Sequence, residues 1–124
     1  MKRNLIITCV LGAVTIILGA FGAHALQDIL SSNELKSFET GVRYQMYHVL
    51  VLLFINTQSN LSVKLKNNLS VLFFLGILLF SGSIYAIAFG LNVKYVWFVT
   101  PIGGLFLILG WLKMAYSYFK IELL

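Results

Sequence analysis

The groups able to do chemistry in this 124-residue chain gather in one short stretch. Glu39, Arg43 and Tyr47 recur every four residues, and so do Tyr44 and His48. On a helix each set stacks along one face, the two faces lying about 100° apart. A carboxylate four positions before a cation is the better orientation for an ion pair. The second histidine, His24, falls at the close of the preceding apolar run, and Tyr85 and Thr100 add hydroxyls from later runs. Such a cluster suits binding of a small ligand or partner, relay of a proton, or, with both histidines, axial ligation of a haem.

The standard catalytic constellations are missing from the sequence. There is no Ser-His-Asp set, no HExxH, no glycine-rich phosphate loop beside a strand and no second carboxylate placed for acid–base work, so no catalytic, cofactor or metal site is expected. The one cysteine, Cys9, excludes an internal disulfide and a cysteine-based zinc site. It reads as a small apolar filler.

The elements that must position these groups belong in lipid. Sixty per cent of residues are hydrophobic and the mean hydropathy is +0.92, well above the apolar share of soluble chains. Nine Lys or Arg and four Asp or Glu fall mostly between the apolar runs. The net charge of +5 comes without a basic patch interleaved with aromatic residues, so nucleic acid is not an expected partner.

Four runs, at about residues 4–26, 42–58, 69–91 and 95–117, are each near the roughly 20 residues that cross a hydrocarbon core of about 30 Å. Unbroken runs in lipid fold as helices, because every backbone N–H and C=O must be paired within the chain. The expected fold is a single all-α domain over residues 1–124, an integral membrane four-helix bundle. Lys2, Arg3, Lys64, Lys66, Lys113 and Lys120 would flank one side, and Lys36, Arg43 and Lys94 the other, which places both termini in the cytoplasm of a multi-pass cell-membrane protein. "MKR", an apolar core and "AHA" imitate a cleavable signal, but Leu5–Ala23 exceeds the usual 7–15 residues of a signal core, so a retained helix is expected.

"SSNE" at 31–34 has capping-box spacing. It predicts a short amphipathic helix from Ser32 in the first outer loop, with Leu35, Phe38 and Val42 on one face and a bend at Gly41. Thr100-Pro101 is read as a kink inside the fourth run. Trp111, Lys113 and Tyr116 look like interfacial anchors.

Small residues mark the packing faces. Thr8, Gly12, Thr15, Gly19 and Gly22 line the first run, and the triples Gly76, Ser83, Gly90 and Gly103, Gly110, Ser117 recur every seven residues in the third and fourth. Lipid-embedded helices associate by close packing, so these stripes predict helix–helix contacts in a left-handed bundle.

"GAFGAHAL" (19–26), "TGVRYQMYHVLVLL" (40–53), "GILLFSGSIYAIA" (76–88) and "TPIGGLFLILGW" (100–111) together resemble the YgdD/YwdK-like bacterial membrane family, domain of unknown function family 423, which is itself similar to animal transmembrane protein 256. The resemblance covers essentially the whole chain. It implies an uncleaved multi-pass inner-membrane protein with no assigned activity. It also places His24, Tyr44, Gln45, Tyr47, His48, Ser81, Gly82, Tyr85, Thr100, Pro101, Gly103, Gly104 and Trp111 on family motifs.

The function expected from the residues is a non-enzymatic binding or accessory protein whose outer polar cluster is His24, Glu39, Arg43, Tyr44, Tyr47, His48, Tyr85 and Thr100. Its partners would be the bilayer and a second copy or another membrane protein. The alternatives are a small oligomeric transporter or channel subunit, and a bis-histidine haem protein.

Overall fold

The computed structural model describes residues 2–122, which are helical with no strand among them. The helices are α1 (Lys2–Ala23), α2 (Ser32–Thr57), α3 (Val63–Ala88), α4 (Val93–Val96) and α5 (Val99–Glu122). Lys2–Ala23, Val63–Ala88 and the stretch Val93–Ile121 are long and apolar enough to cross a membrane. Helix α2 is as long as α3 at 26 residues, but its polar side chains keep it out of that set.

Local signals explain the helix ends. Ser31 caps α2: its hydroxyl accepts from the Glu34 N–H at 3.3 Å, while the Glu34 carboxylate accepts from the Ser31 N–H at 2.7 Å. From Ser32 the helix continues to Thr57, so the expected amphipathic helix is the first turns of α2 and not a separate element. Its faces fall as the pattern indicates, with Phe38 buried and Lys36, Glu39 and Arg43 exposed.

Gly41 is not a bend. It is the point where α2 meets α3: a Cβ there would lie 3.0 Å from the Tyr85 ring, and its carbonyl accepts from Ser81 Oγ at 2.7 Å. Gly90 is not a packing residue either, since it sits in the turn after α3 with φ 104°, the left-handed region that glycine enters freely. Helix α3 begins at Val63, so Val63–Asn68, which lies between the second and third apolar runs of the sequence, forms its first turns.

Pro101 neither kinks a continuous helix nor opens one. The chain breaks at Trp97 and Phe98, and Pro101 stands third in α5, where its missing N–H leaves no bond unmade.

The substantial interfaces are α1–α2, α2–α3 and α3–α5, all antiparallel, so the start of α1 and the end of α5 lie together at one end and the segments 24–31 and 89–98 at the other. The α1 stripe faces α2, where added Cβ atoms at Gly12, Gly19 and Gly22 would meet Val49, Val42 and Phe38 at 3.5, 3.6 and 3.0 Å. Thr8 and Thr15 are buried on that face. Along α3–α5 one register holds throughout, pairing Gly76 with Leu107, Gly103 with Phe80, Gly110 with Phe73 and Ser83 with Thr100. Ser117 bonds within its own helix, to the Lys113 carbonyl. The apolar core of Leu52, Ile55, Leu61, Leu69, Phe73, Ile77 and Leu107 fills α2, α3 and α5 toward the terminal end.

A Cβ on Gly103 would come within 2.2 Å of the Phe80 backbone nitrogen, whereas one on Gly104 would meet only the Phe80 ring, at 3.8 Å. Backbone cannot swing aside as a side chain can. Gly103→Ala is expected to destabilise the detergent-solubilised protein by about 1–3 kcal/mol, while Gly104→Ala stays within about 0.5 kcal/mol. Thermal unfolding of the two variants checks this.

The Glu34 carboxyl is held below its ordinary value of 4.5, first by the Ser31 N–H and then by the Ser31 hydroxyl. A depressed carboxyl pKa stabilises the fold above the unfolded value, and that contribution is lost as pH falls through the folded one. Ser31→Ala is expected to move the Glu34 carbon-13 titration midpoint part of the way back up.

Candidate functional site

Helix α2 directs its polar residues to two sides. On the side toward α5, His48 is 5% exposed and about halfway along the helix. The Trp111 indole N–H donates to His48 Nε2 at 3.2 Å, and His48 Nδ1 lies 2.7 Å from the Tyr44 carbonyl. An indole nitrogen can only donate, so Nε2 must accept. The proton then resides on Nδ1 and is given to Tyr44, which makes the ring the neutral Nδ1–H tautomer with both nitrogens engaged. Trp111, expected as an interfacial anchor with Lys113 and Tyr116, thus gives its indole N–H to His48, while 45% of the residue stays exposed.

Around this pair the rings interlock. His48 packs at 5.6 Å on Phe73, Phe73 meets Trp111 edge-on at 6.0 Å, and Tyr44 lies 5.2 Å from Phe80 and 5.8 Å from Tyr47. Between α2 and α5 opens a groove of about 560 Å³. Thr40, Tyr44, Tyr47 and His48 form one wall, Gly104, Leu107, Ile108 and Trp111 the other, and Phe80 of α3 the back.

On the side toward α1 and α3, Tyr85 Oη donates to Gln45 Oε1 at 2.7 Å, and Gln45 Nε2 donates to the Leu11 carbonyl at 3.3 Å. One glutamine therefore ties three helices. A second groove of about 430 Å³ between α1 and α3 ends on this pair. Thr100 is elsewhere again, bonded to Ser83 where α5 starts along α3.

The expected cluster is thus divided. Tyr44, Tyr47 and His48 share the α2–α5 groove; Tyr85 joins Gln45, and Thr100 joins Ser83. Glu39 and Arg43 are exposed around a shallow hollow with Gly19, Gly22 and Val42, and form no ion pair with each other among the described residues. His24 is exposed in the turn beyond α1. Gly12 packs level with Val49, beside His48, and His24 lies twelve residues further on, about 18 Å along the axis. Two rings so far apart cannot share a haem iron.

A polar network absent from the sequence reading lies at the terminal end. Asn4 Nδ2 donates to Asn56 Oδ1 at 3.3 Å and to Asn67 Oδ1 at 2.9 Å, and Asn56 Nδ2 donates to Ser70 Oγ at 2.9 Å. Asn4, Asn56 and Ser70 are buried. Their places at the ends of apolar runs hid them: Asn4 stands between Arg3 and the first run, and Asn56 between the second run and Thr57-Gln58.

The profile of the family described as "Protein of unknown function (DUF423)" matches residues 18–104. The UPF0382 membrane protein of Haemophilus influenzae is 38% identical over 96% of this chain and 95% of its own length. The chain belongs to this family. Another member, from Staphylococcus haemolyticus, is 39% identical over 97% of this chain and 98% of its own, and the UPF0382 inner membrane protein YgdD of Escherichia coli is 34% identical over 95% and 90%. No solved structure matches the chain.

As a DUF423 member with three helices able to cross a bilayer, the protein is a helical membrane protein. The matched stretch contains Tyr44, Gln45, His48, Tyr85 and Thr100, while Asn4 and Trp111 lie outside it.

The asparagine network predicts unequal effects. Asn56→Ala removes partners from both Asn4 and Ser70 and should destabilise by on the order of 1 kcal/mol. Asn67→Ala leaves Asn4 bonded to Asn56 and should cost measurably less. Unfolding of the two variants in detergent, side by side, decides it.

Proposed function

We propose that this protein is a four-span membrane protein with both ends in the cytoplasm, and that it binds a small hydrophobic ligand, without catalysis, in the groove between α2 and α5. Support for the span count comes from α2, which is as long as α3 and is packed between α1 and α3. Four antiparallel helices bring both ends to one side. Six of the nine Lys and Arg residues flank that side, and cytoplasmic flanks carry the excess of positive charge. The Escherichia coli relative is named an inner membrane protein.

The observation that carries the binding role is the groove itself, with His48 fixed at its base by Trp111 and the Tyr44 carbonyl. Both ring nitrogens are engaged, so neither stands ready to exchange a proton with a substrate. A conduit is less favoured. Between His48 and the Asn56 network lie buried Leu52, Phe73 and Leu107, an apolar tier across the middle of the fold.

Two experiments test this. Reporter fusions should place both ends inside and residues 24–31 outside; ends on opposite sides would refute the topology. Gly104→Leu fills the groove, and Gly82→Leu fills its counterpart between α1 and α3. Mass spectrometry of protein purified in mild detergent should find a bound amphiphile in the wild type and in Gly82→Leu, and none in Gly104→Leu. The same content in all three would refute the site.

A further inference from the structure

The two connections at the end of the fold away from the start of α1 differ in kind. Segment 24–31 carries His24, Gln27 and Asp28, and its one exposed large hydrophobic is Ile29. Segment 89–98 exposes Phe89, Leu91, Val93, Tyr95, Trp97 and Phe98, with Tyr95 at 70% and Trp97 at 66%. Helix α4, inside that segment, buries no residue. Crossing a bilayer does not require this apolar length. The 24 residues of α5 rise about 36 Å, already more than a hydrocarbon core of about 30 Å. The break at Trp97 and Phe98, between the end of α4 and the start of α5, separates the surplus from the span.

The pattern of exposure selects what covers the segment. A partner protein takes one stripe of a helix, and polar residues fill the rest. Here Val93, Lys94 and Tyr95 are all exposed at successive steps of about 100° round α4. Trp97 and Phe98 follow, edge-on to each other at 5.9 Å, and both are exposed. Exposure on every side suits a surrounding solvent and offers no single docking face. Water does not suit six large apolar side chains. Hydrocarbon does not suit the Lys94 ammonium. Between them lies the zone where glycerol and ester carbonyls meet the acyl chains. Indole and phenol rings concentrate there, and a lysine stem can lie along the chains while its head stays at the phosphates.

We infer that segment 89–98 is embedded in the phospholipid interface at its end of the fold, with Tyr95, Trp97 and Phe98 among the glycerol groups and first methylenes and the Lys94 ammonium at the phosphates. The turn holds the α3–α5 pair at a fixed level in the leaflet. This rests on α3 and α5 crossing the bilayer and is independent of the groove between α2 and α5.

The test uses the full chain in phosphatidylcholine liposomes, with Trp111→Phe as background so that Trp97 is the remaining tryptophan of the two. Trp97 should lose emission to lipids brominated near the acyl carbonyl, lose less to lipids brominated near the chain methyl, and resist aqueous iodide. A second chain carries Trp97→Phe, Trp111→Phe and Val10→Trp on the exposed side of α1, and it calibrates a position within a span. There the order of the two lipids should reverse. A wild-type melting temperature confirms folding of each chain. Because Trp111 bonds His48, the reading is repeated with that residue kept: Tyr95→Cys in a Cys9→Ser chain carries an environment-sensitive fluorophore, quenched by lipids spin-labelled at the same two depths.

Trp97 quenched by iodide and by neither lipid, or quenched more by the deeper bromines, overturns the interfacial placement. Trp97 shielded from all three quenchers overturns it too, because a protein then covers the turn. Val10→Trp open to iodide removes the crossing on which the inference rests, and this separates that failure from a misplaced turn.

Discussion

Hydrocarbon supplies no hydrogen-bond partners, and the architecture follows from that lack. Helix α2 carries Gln45, His48 and Asn56 on faces that a lipid-exposed helix could not tolerate. Each finds its partners in part on a different neighbour. Gln45 reaches the Leu11 carbonyl of α1 and Tyr85 of α3, His48 accepts from Trp111 of α5, and Asn56 bonds Asn4 of α1 and Ser70 of α3. Among the described residues no buried side-chain nitrogen or oxygen lacks a partner. The least apolar long helix is therefore packed between α1 and α3 and reached from α5 by Trp111, and its position is set by polar contacts at three levels.

Close packing supplies the second half of the design. Without a hydrophobic drive between helices in lipid, contact depends on how near two backbones can come. Gly103 brings α5 onto the backbone of α3 at Phe80, and the α1 stripe does the same less tightly against α2. These two contacts draw the outer helices to opposite sides of the α2–α3 pair. Helix α5 is held away from α2, and α1 away from α3, which opens the two lateral grooves. The grooves thus result from where the glycines are, and Gly104, one residue from the tightest contact, is left facing open space at the groove wall.

Signals confined to a few neighbouring residues were legible in the sequence. The capping box at Ser31 and Glu34 needs four residues, and the apolar length of α1 and α3 needs one window each. Periodicity alone was ambiguous. Gly90 sits seven residues after Ser83, as a packing residue would, yet it is the turn glycine after α3. Gly41 looked like a hinge because a glycine weakens a helix, but what it provides is close approach to Ser81 and Tyr85 forty or more positions away. Trp111 beside Lys113 reads as an anchor because the sequence does not show its bond to His48, 63 positions away. The asparagine network joins residues 52 and 63 positions apart, and no local pattern announces such a bond. The all-helical membrane fold was readable from composition. The division of the polar cluster among separate sites depended on side-chain direction, which spacing of four leaves open.

The neutral state of His48 constrains the α2–α5 groove more closely than its shape does. Its Nε2 serves Trp111 as an acceptor, so a second proton there would set two donors against each other at 3.2 Å. The indole would have to turn, and Trp111 forms the groove wall opposite Tyr47 and His48 itself. The base of the groove keeps its form only with an uncharged ring. A low-dielectric interior favours the same condition, because charging an unpaired imidazole there is costly. A charged occupant would disturb this arrangement and gain no compensating ion pair from the groove lining. A neutral occupant leaves it intact.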